Sequence, residues 1–219
     1  MPAVKYKNMK EFDSIIFDMD GTLWDATDSY VECWNIAAER LKFPTKVDRK
    51  MLESVMGWDE KKAYEFLFPE LEEEKIKQLA STVSDIQDEL IPQLGGEIYE
   101  GVQEGLKSLS TQYRLFILSN CPKHTIKQFM KFAKIEDLIS GSISFGENRV
   151  PKSENIKLLV DRYELKNPVY VGDTNSDRVQ CERAGLPFVY VSYGFDKVDE
   201  YYKSFDNFTS LKEYFLDSE

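Results

Sequence analysis

Ser14-Ile15-Ile16-Phe17-Asp18-Met19-Asp20-Gly21-Thr22-Leu23-Trp24-Asp25 is the stretch that decides how this 219-residue chain is read. Ile15 to Phe17 is a short apolar run with the pattern of a buried strand. It stops at two carboxylates one residue apart. Acids at a buried strand end are unfavourable unless a cation or a reacting centre compensates their charge. Side chains alternate along an extended segment, so Asp18 and Asp20 can share a side that Met19 does not. Gly21 predicts a tight turn just beyond them, because it tolerates backbone angles that other residues resist.

Beyond Trp24 the pattern turns helical. Val31, Trp34, Ala37, Ala38 and Leu41 recur at helical spacing, with Pro44 beyond the end. Short helices follow over Arg49 to Val55, stopped at Gly57, and around Ala63, Phe66 and Leu67, closed by Pro69. A longer helix opens in the acidic run Glu70 to Glu74, which favours a helix N-terminus. Pro92 and Gly95-Gly96 are expected to end it. Residues 26 to 92 thus read as a helical insert of the size of a small bundle.

From Gly101 helix and strand alternate. Val102 to Leu109 is a helix, Tyr113 to Leu118 a strand and Thr125 to Ala133 a helix. Ser142 to Phe145 is a short strand and Glu154 to Tyr163 a helix. Pro168 to Val171 is a strand, Ser176 to Ala184 a helix closed by Gly185, Pro187 to Val191 a strand, and Ser210 to Leu216 a helix. Fully apolar strands alternating with helices predict a parallel sheet covered on both faces. Ligands of such sheets bind at the carboxyl ends of the strands. Three strands there end in polar groups: Asp18 and Asp20, then Ser119 and Asn120, then Asp173. That convergence points to one active site.

Composition narrows the function. The net charge of −11 argues against a general nucleic-acid binder and means that an anionic ligand must be attracted locally. Three widely spaced cysteines, Cys33, Cys121 and Cys181, form no metal-binding pattern and suit a reducing, cytoplasmic location. No stretch approaches the roughly 20 apolar residues of a membrane span, and Met1 to Glu11 carries lysines without the apolar segment of a signal peptide.

Asp18-Met19-Asp20-Gly21-Thr22-Leu23 resembles the first motif of the haloacid dehalogenase-like (HAD) hydrolases. The resemblance implies that Asp18 attacks phosphorus and that Asp20 acts as general acid and then general base. Leu118-Ser119-Asn120 is similar to the second motif, with the Ser119 hydroxyl, assisted by Asn120, donating to a phosphoryl oxygen. Lys152 matches the third, where its ammonium neutralises carboxylate and phosphoryl charge. Relatives often have Lys-Pro where this chain has Lys152-Ser153. Gly172-Asp173-Thr174-Asn175-Ser176-Asp177 resembles the fourth motif. It implies a metal site formed by Asp18, Asp20 and Asp173, with Asp177 supporting it by holding a metal-bound water or the lysine.

An all-oxygen donor set in a chain with a single histidine suits Mg²⁺ rather than zinc. The implied fold is an α/β protein with a Rossmann-like parallel-sheet core, residues 1–24 and 94–219, and a small all-helical cap, residues 25–93. Within the family the chain looks most like the capped, phosphoglycolate-phosphatase-like branch, which Tyr193-Gly194-Phe195 also fits. The cap loop carrying Gly57 and Trp58 is placed to contact the substrate, although Trp58 can instead pack within the cap. Cys121 and Cys181 read as packing residues and His124 as a surface residue at a helix start. The expected activity is Mg²⁺-dependent hydrolysis of a small phosphomonoester. A phosphomutase on a sugar phosphate uses the same motifs, and an idle HAD-like binding protein is the alternative outside enzymes.

Overall fold

The computed structural model describes residues 12–43 and 46–217. Pro44, expected to follow the first helix, and Met1 to Glu11, read as no signal peptide, lie outside the described residues. The sheet is built on β1, Ser14–Phe17. It is flanked by β4, Arg114–Ser119, and β6, Pro168–Gly172, both parallel to it. Outside these lie β5, Ile139–Ser144, next to β4, and then β7, Phe188–Val191, and β8, Lys203–Phe205, beyond β6. The order is β5-β4-β1-β6-β7-β8, with every pairing parallel.

Alternation along the strands creates two cores. Ile15, Phe17, Leu115, Ile117, Val169 and Val171 face one side. Ile16, Phe116, Leu118 and Tyr170 face the other. The first face is covered by α5, Val102–Leu109, α6, Thr125–Ala133, and α10, Phe208–Leu216, through Leu106, Phe129 and Phe208 among others. After β5 and the short α7, Phe145–Asn148, the second is covered by α8, Lys152–Tyr163, and α9, Asn175–Ala184, through Ile156, Leu159 and Cys181. Burial on both faces is why these strands read as unbroken apolar runs.

The helical insert leaves the sheet after β1 and returns before α5. Its two crossings pair as a short antiparallel ribbon, β2, Trp24–Asp25, with β3, Glu97–Ile98. Between them run α1, Thr27–Arg40, α2, Arg49–Glu53, α3, Glu60–Leu67, and α4, Glu73–Leu94. Arg49 pairs with Asp25, Asp28 and Glu53, tying α2 to the ribbon and to α1. Trp24 is fully buried against Phe129 of α6, where insert and sheet meet.

Two sequence expectations need correction. Pro92 does not end α4: the helix continues to Leu94 and stops at Gly95, at φ +64°. A proline inside a helix deprives the carbonyl four residues earlier of its partner. Here that carbonyl, of Asp88, accepts from Gln128 Nε2 of α6 at 3.3 Å, so a tertiary contact replaces the missing bond. Phe66 is not on the packing face of α3; it is 58% exposed, and Tyr64 is buried in its stead beside Trp34. Strands β2, β3 and β8 escape the sequence reading because each has two or three residues, too few for a periodicity.

Candidate active site

Register brings the acids together. Phe17 pairs with Ile117 on one side and Val171 on the other, and Asp18 N continues the ladder to Val171 O at 2.8 Å. Asp18 therefore emerges beside the end of β4, at Ser119, and the end of β6, just before Asp173. The crossovers on either side of β1 diverge at this point, which opens a crevice at the carboxyl end of the sheet.

Lys152, the first residue of α8, reaches across with its ammonium. Nζ lies 2.9 Å from Asp18 Oδ1 and 2.6 Å from Asp177 Oδ1, and all three residues are buried. The departure from Lys-Pro is accommodated locally. Ser153 carries an N–H that proline would lack, and Gln180 Oε1 of α9 accepts it at 3.1 Å.

Asp177 is fully committed. Its second oxygen accepts from Thr174 N and Oγ1 at 3.1 and 2.5 Å, while Thr174 Oγ1 accepts from Asp177 N, closing a capping box at the start of α9. Asp173 is held on both oxygens, by Thr22 Oγ1 at 3.0 Å and by Phe195 N at 2.9 Å. Gly21, at φ +82°, lies directly against it; a Cβ there would sit 2.2 Å from Asp173 Oδ2. The turn after the two acids thus has a steric reason as well as a conformational one.

Asp20 turns away from this cluster. Tyr30 Oη and Trp24 Nε1 both donate to its Oδ1, at 2.8 and 3.0 Å, which leaves Oδ2 unclaimed by either. Asp18, Asp20, Ser119 and Lys152 nevertheless line one cleft of about 620 Å³ between sheet and insert.

Electrostatics follow from burial. Loss of water pushes Asp18 up to about 7, against the pull of the Lys152 ammonium. Burial likewise raises Asp20 to about 6, opposed by its bonds from Tyr30 and Trp24. Asp173 is raised well above the carboxylate range by burial and by Asp177 and Asp18. Burial works against the charge on Lys152, but Asp177 and Asp18 more than offset it and hold the amine protonated. One ammonium faces more carboxylates than it can balance. Asp18, Asp173 and Asp177 each bring an oxygen within 4.8 Å of the others, an arrangement fit for a divalent cation. Because Asp177 already serves Lys152 and Thr174, Asp18 and Asp173 have the freer oxygens.

The other sequence-selected residues fall into place around this centre. Ser119 is buried at the mouth of β4. Asn120 Nδ2 is turned to the insert, donating to Gly57 O at 3.1 Å and Trp58 O at 3.4 Å. Gly57, at φ +75°, packs against Thr174, whose Oγ1 would lie 2.8 Å from an added Cβ. Trp58 combines both expectations: it lines the cleft and also packs on Phe66, ring centroids 5.3 Å apart. Cys121 lines the cleft as a buried thiol, pushed up by burial and by Asp20. His124 is exposed at the start of α6.

Sequence reasoning assigned no role to Thr22, Tyr30 or the Phe195 N–H, which hold Asp173 and Asp20. Thr22 and Phe195 lie inside quoted motifs. Tyr30 sits in an ordinary helix turn and carries no signal of its own.

The haloacid dehalogenase-like hydrolase family matches residues 15–191, which include every one of these groups except Phe195. The chain belongs to that family. It is 26% identical over 194 residues to the probable phosphatase IndB of Dickeya dadantii, an alignment covering 85% of this chain and 84% of that one. It is 25% identical to the phosphoglycolate phosphatase of Aliivibrio fischeri, over 83% of this chain and 85% of the relative. A haloacid dehalogenase-like family hydrolase from Streptococcus pneumoniae has the same fold, with a TM-score of 0.80 at 18% identity, covering 93% and 98% of the two chains. Among the described residues no helix is long and apolar enough to cross a membrane.

Proposed function

We propose that this HAD hydrolase is a Mg²⁺-dependent phosphatase that hydrolyses a small phosphomonoester through a phosphorylated Asp18. The observation that carries the reading is the pairing at the end of β1. Among the described residues Asp18 is held by Lys152 on Oδ1 and Asp20 by Tyr30 and Trp24 on Oδ1, and both line the same cleft.

In the first step the free oxygen of Asp18 attacks phosphorus. The bond from phosphorus to the leaving oxygen breaks, and Asp20 Oδ2 gives that oxygen its proton. The alcohol departs. In the second step Asp20, now ionised, takes a proton from water as the water oxygen bonds to phosphorus and the Asp18–phosphorus bond breaks. Lys152 and the Ser119 hydroxyl are placed to meet the phosphoryl oxygens. A cation held by Asp18 and Asp173 would favour the Asp18 carboxylate and neutralise phosphoryl charge. The Asp20 carboxylate, bonded on Oδ1 by Tyr30 and Trp24, is not among the three acids whose oxygens cluster there. The all-oxygen donor set favours Mg²⁺.

Phosphomonoester hydrolysis demands an acceleration of up to ~10²¹. A general acid supplies about 10²–10⁴ of it, so the surrounding charges must supply most of the rest. Residues 25–93 act as the cap in this reading, closed onto the core through Asn120, Gly57 and Thr174. The test is phosphate release from a panel of phosphomonoesters, with Mg²⁺ or with EDTA, for the wild type and Asp18→Asn. Mg²⁺-dependent release that Asp18→Asn abolishes is expected. Release that survives Asp18→Asn or EDTA would overturn the nucleophile or the metal.

A further inference from the structure

The cations of the cleft are not spent alike. Lys152 is committed to Asp18 and Asp177. Lys61 and Lys77, on the cap wall, pair with Glu65 at 3.6 Å and with Glu73 at 3.1 Å, each one helical turn away. Lys123 and Arg149 line the cleft from the core side, and neither side chain forms an ion pair or a hydrogen bond among the described residues. In a chain with 39 acidic residues against 28 basic ones, two unpaired cations bordering one cleft call for an explanation. They stand on one shelf. Gly146 of α7 donates from its N–H to Cys121 O at 3.1 Å, and a Cβ on it would lie 2.3 Å from Lys123 N, so α7 and the loop after β4 are in direct contact. Arg149 ends α7 and acts across the cleft on the cap. Burial raises the carboxyl of Glu60, at the start of α3, and the Arg149 charge opposes that rise, although no ion pair closes between the two.

We infer that Lys123 and Arg149 bind a second anionic group, a carboxylate or a phosphate, carried by the leaving group. The substrate is then a phosphomonoester with an anion at the end remote from the reacting phosphoryl group. This rests on the phosphatase reading above and deepens it. The layout of the two segments fits. Ser119 and Lys152 are buried at the floor, and the segments that place them there also carry Lys123 and Arg149 at the exposed rim. The chain as a whole repels anions, so a local pair of cations is what could hold one. A guanidinium meets two oxygens of a carboxylate or phosphate at once, and an ammonium adds a compact charge. Glu60 would repel the same group, so it serves as a control of opposite sign.

The test uses ω-(phosphonooxy)alkanoates of increasing chain length and their ω-amides, which put a neutral group of the same shape in place of the carboxylate. At the best length the wild type should favour the carboxylate over its amide in kcat/KM by about tenfold, and by less at other lengths. Bisphosphates of the matching diols show whether carboxylate or phosphate is the better second anion. Lys123→Met combined with Arg149→Met should bring the ratio to about one. The melting temperature should not fall, because neither cation has a partner to lose. Glu60→Gln should raise the ratio. If Arg149 and Glu60 instead served to close the cap on each other, Arg149→Met and Glu60→Gln would slow acid and amide alike, and that result overturns the inference. So does a wild type with no preference at any length, or a preference that survives in the double variant. A preference indifferent to chain length also overturns it, because it reports attraction at a distance without contact. Calorimetric binding of the same pairs to Asp18→Asn reads the contact without turnover. Phosphate release that ignores Asp18→Asn overturns the phosphatase reading instead, and the binding arm then still decides the role of Lys123 and Arg149.

Discussion

Tyr30→Phe removes one of the two donors on the general acid and keeps the buried ring. Tyr30 Oη donates to Asp20 Oδ1 at 2.8 Å, and Trp24 Nε1 remains at 3.0 Å. Burial raises Asp20 to about 6, and these two bonds limit the rise because they favour the carboxylate. A hydrogen bond to a charged group contributes about 1.5–3 kcal/mol, and one pKa unit corresponds to ~1.36 kcal/mol. With Trp24 still bound, the low end applies, so the Asp20 pKa should rise by about one unit.

Asp20 must carry its proton in the first step, so kcat/KM falls as pH rises through its pKa. In Tyr30→Phe that fall should come about one unit higher. The assay is the pH profile of kcat/KM with saturating Mg²⁺, from about pH 5 to about pH 9. The cation is common to both proteins and drops out of the difference. An alkaline limb that stays in place or moves to lower pH, in a variant with an unchanged fold, would refute Asp20 as the acid and Tyr30 as its tuner.

Further outcomes follow from the same geometry. Lys152→Met leaves Asp18 and Asp177 buried without their cation, a loss of about 3–5 kcal/mol. The folded pKa of Asp18, already raised to about 7 with the lysine present, would rise further above its unfolded value, so stability is lost as pH rises above the ordinary carboxylate range. Denaturant titration should show a larger deficit at alkaline than at acidic pH, and an equal deficit at both would contradict the charge argument. Mg²⁺ should raise the melting temperature more at pH 8 than at pH 5, because Asp18, raised to about 7, holds a proton at the lower pH that the ion must displace. A pH-independent increment would remove Asp18 from the metal site. Gly57→Ala places a methyl 2.8 Å from Thr174 Oγ1 and strains a backbone at φ +75°. It should hold the cap loop off the core and depress kcat/KM with only a small change in melting temperature; unaltered kinetics would mean that the loop need not seat.

What was legible in the sequence follows from how strongly each feature constrains its neighbours. The strands around the site are apolar because both faces are buried, so Ile15 to Phe17 and Val169 to Val171 announce themselves. Asp18, Asp20 and Asp173 stand out because acids interrupt that pattern at its edge. Lys152 was visible only through the family motif, since nothing local distinguishes it from a surface lysine. Tyr30 and the bond from Gln128 to Asp88 were not legible: they depend on how helices distant in sequence meet. Pro92 misled because the rule that proline ends a helix assumes that nothing else can bond the freed carbonyl.

The most direct test of the account is a single-turnover reaction quenched in acid, followed by mass analysis of the peptide containing Asp18. The account predicts a transient peptide heavier by one phosphoryl group, formed with Mg²⁺ before phosphate appears and absent in Asp18→Asn. Phosphate released with no such species at any time, or a phosphoryl group carried elsewhere in the chain, would contradict it.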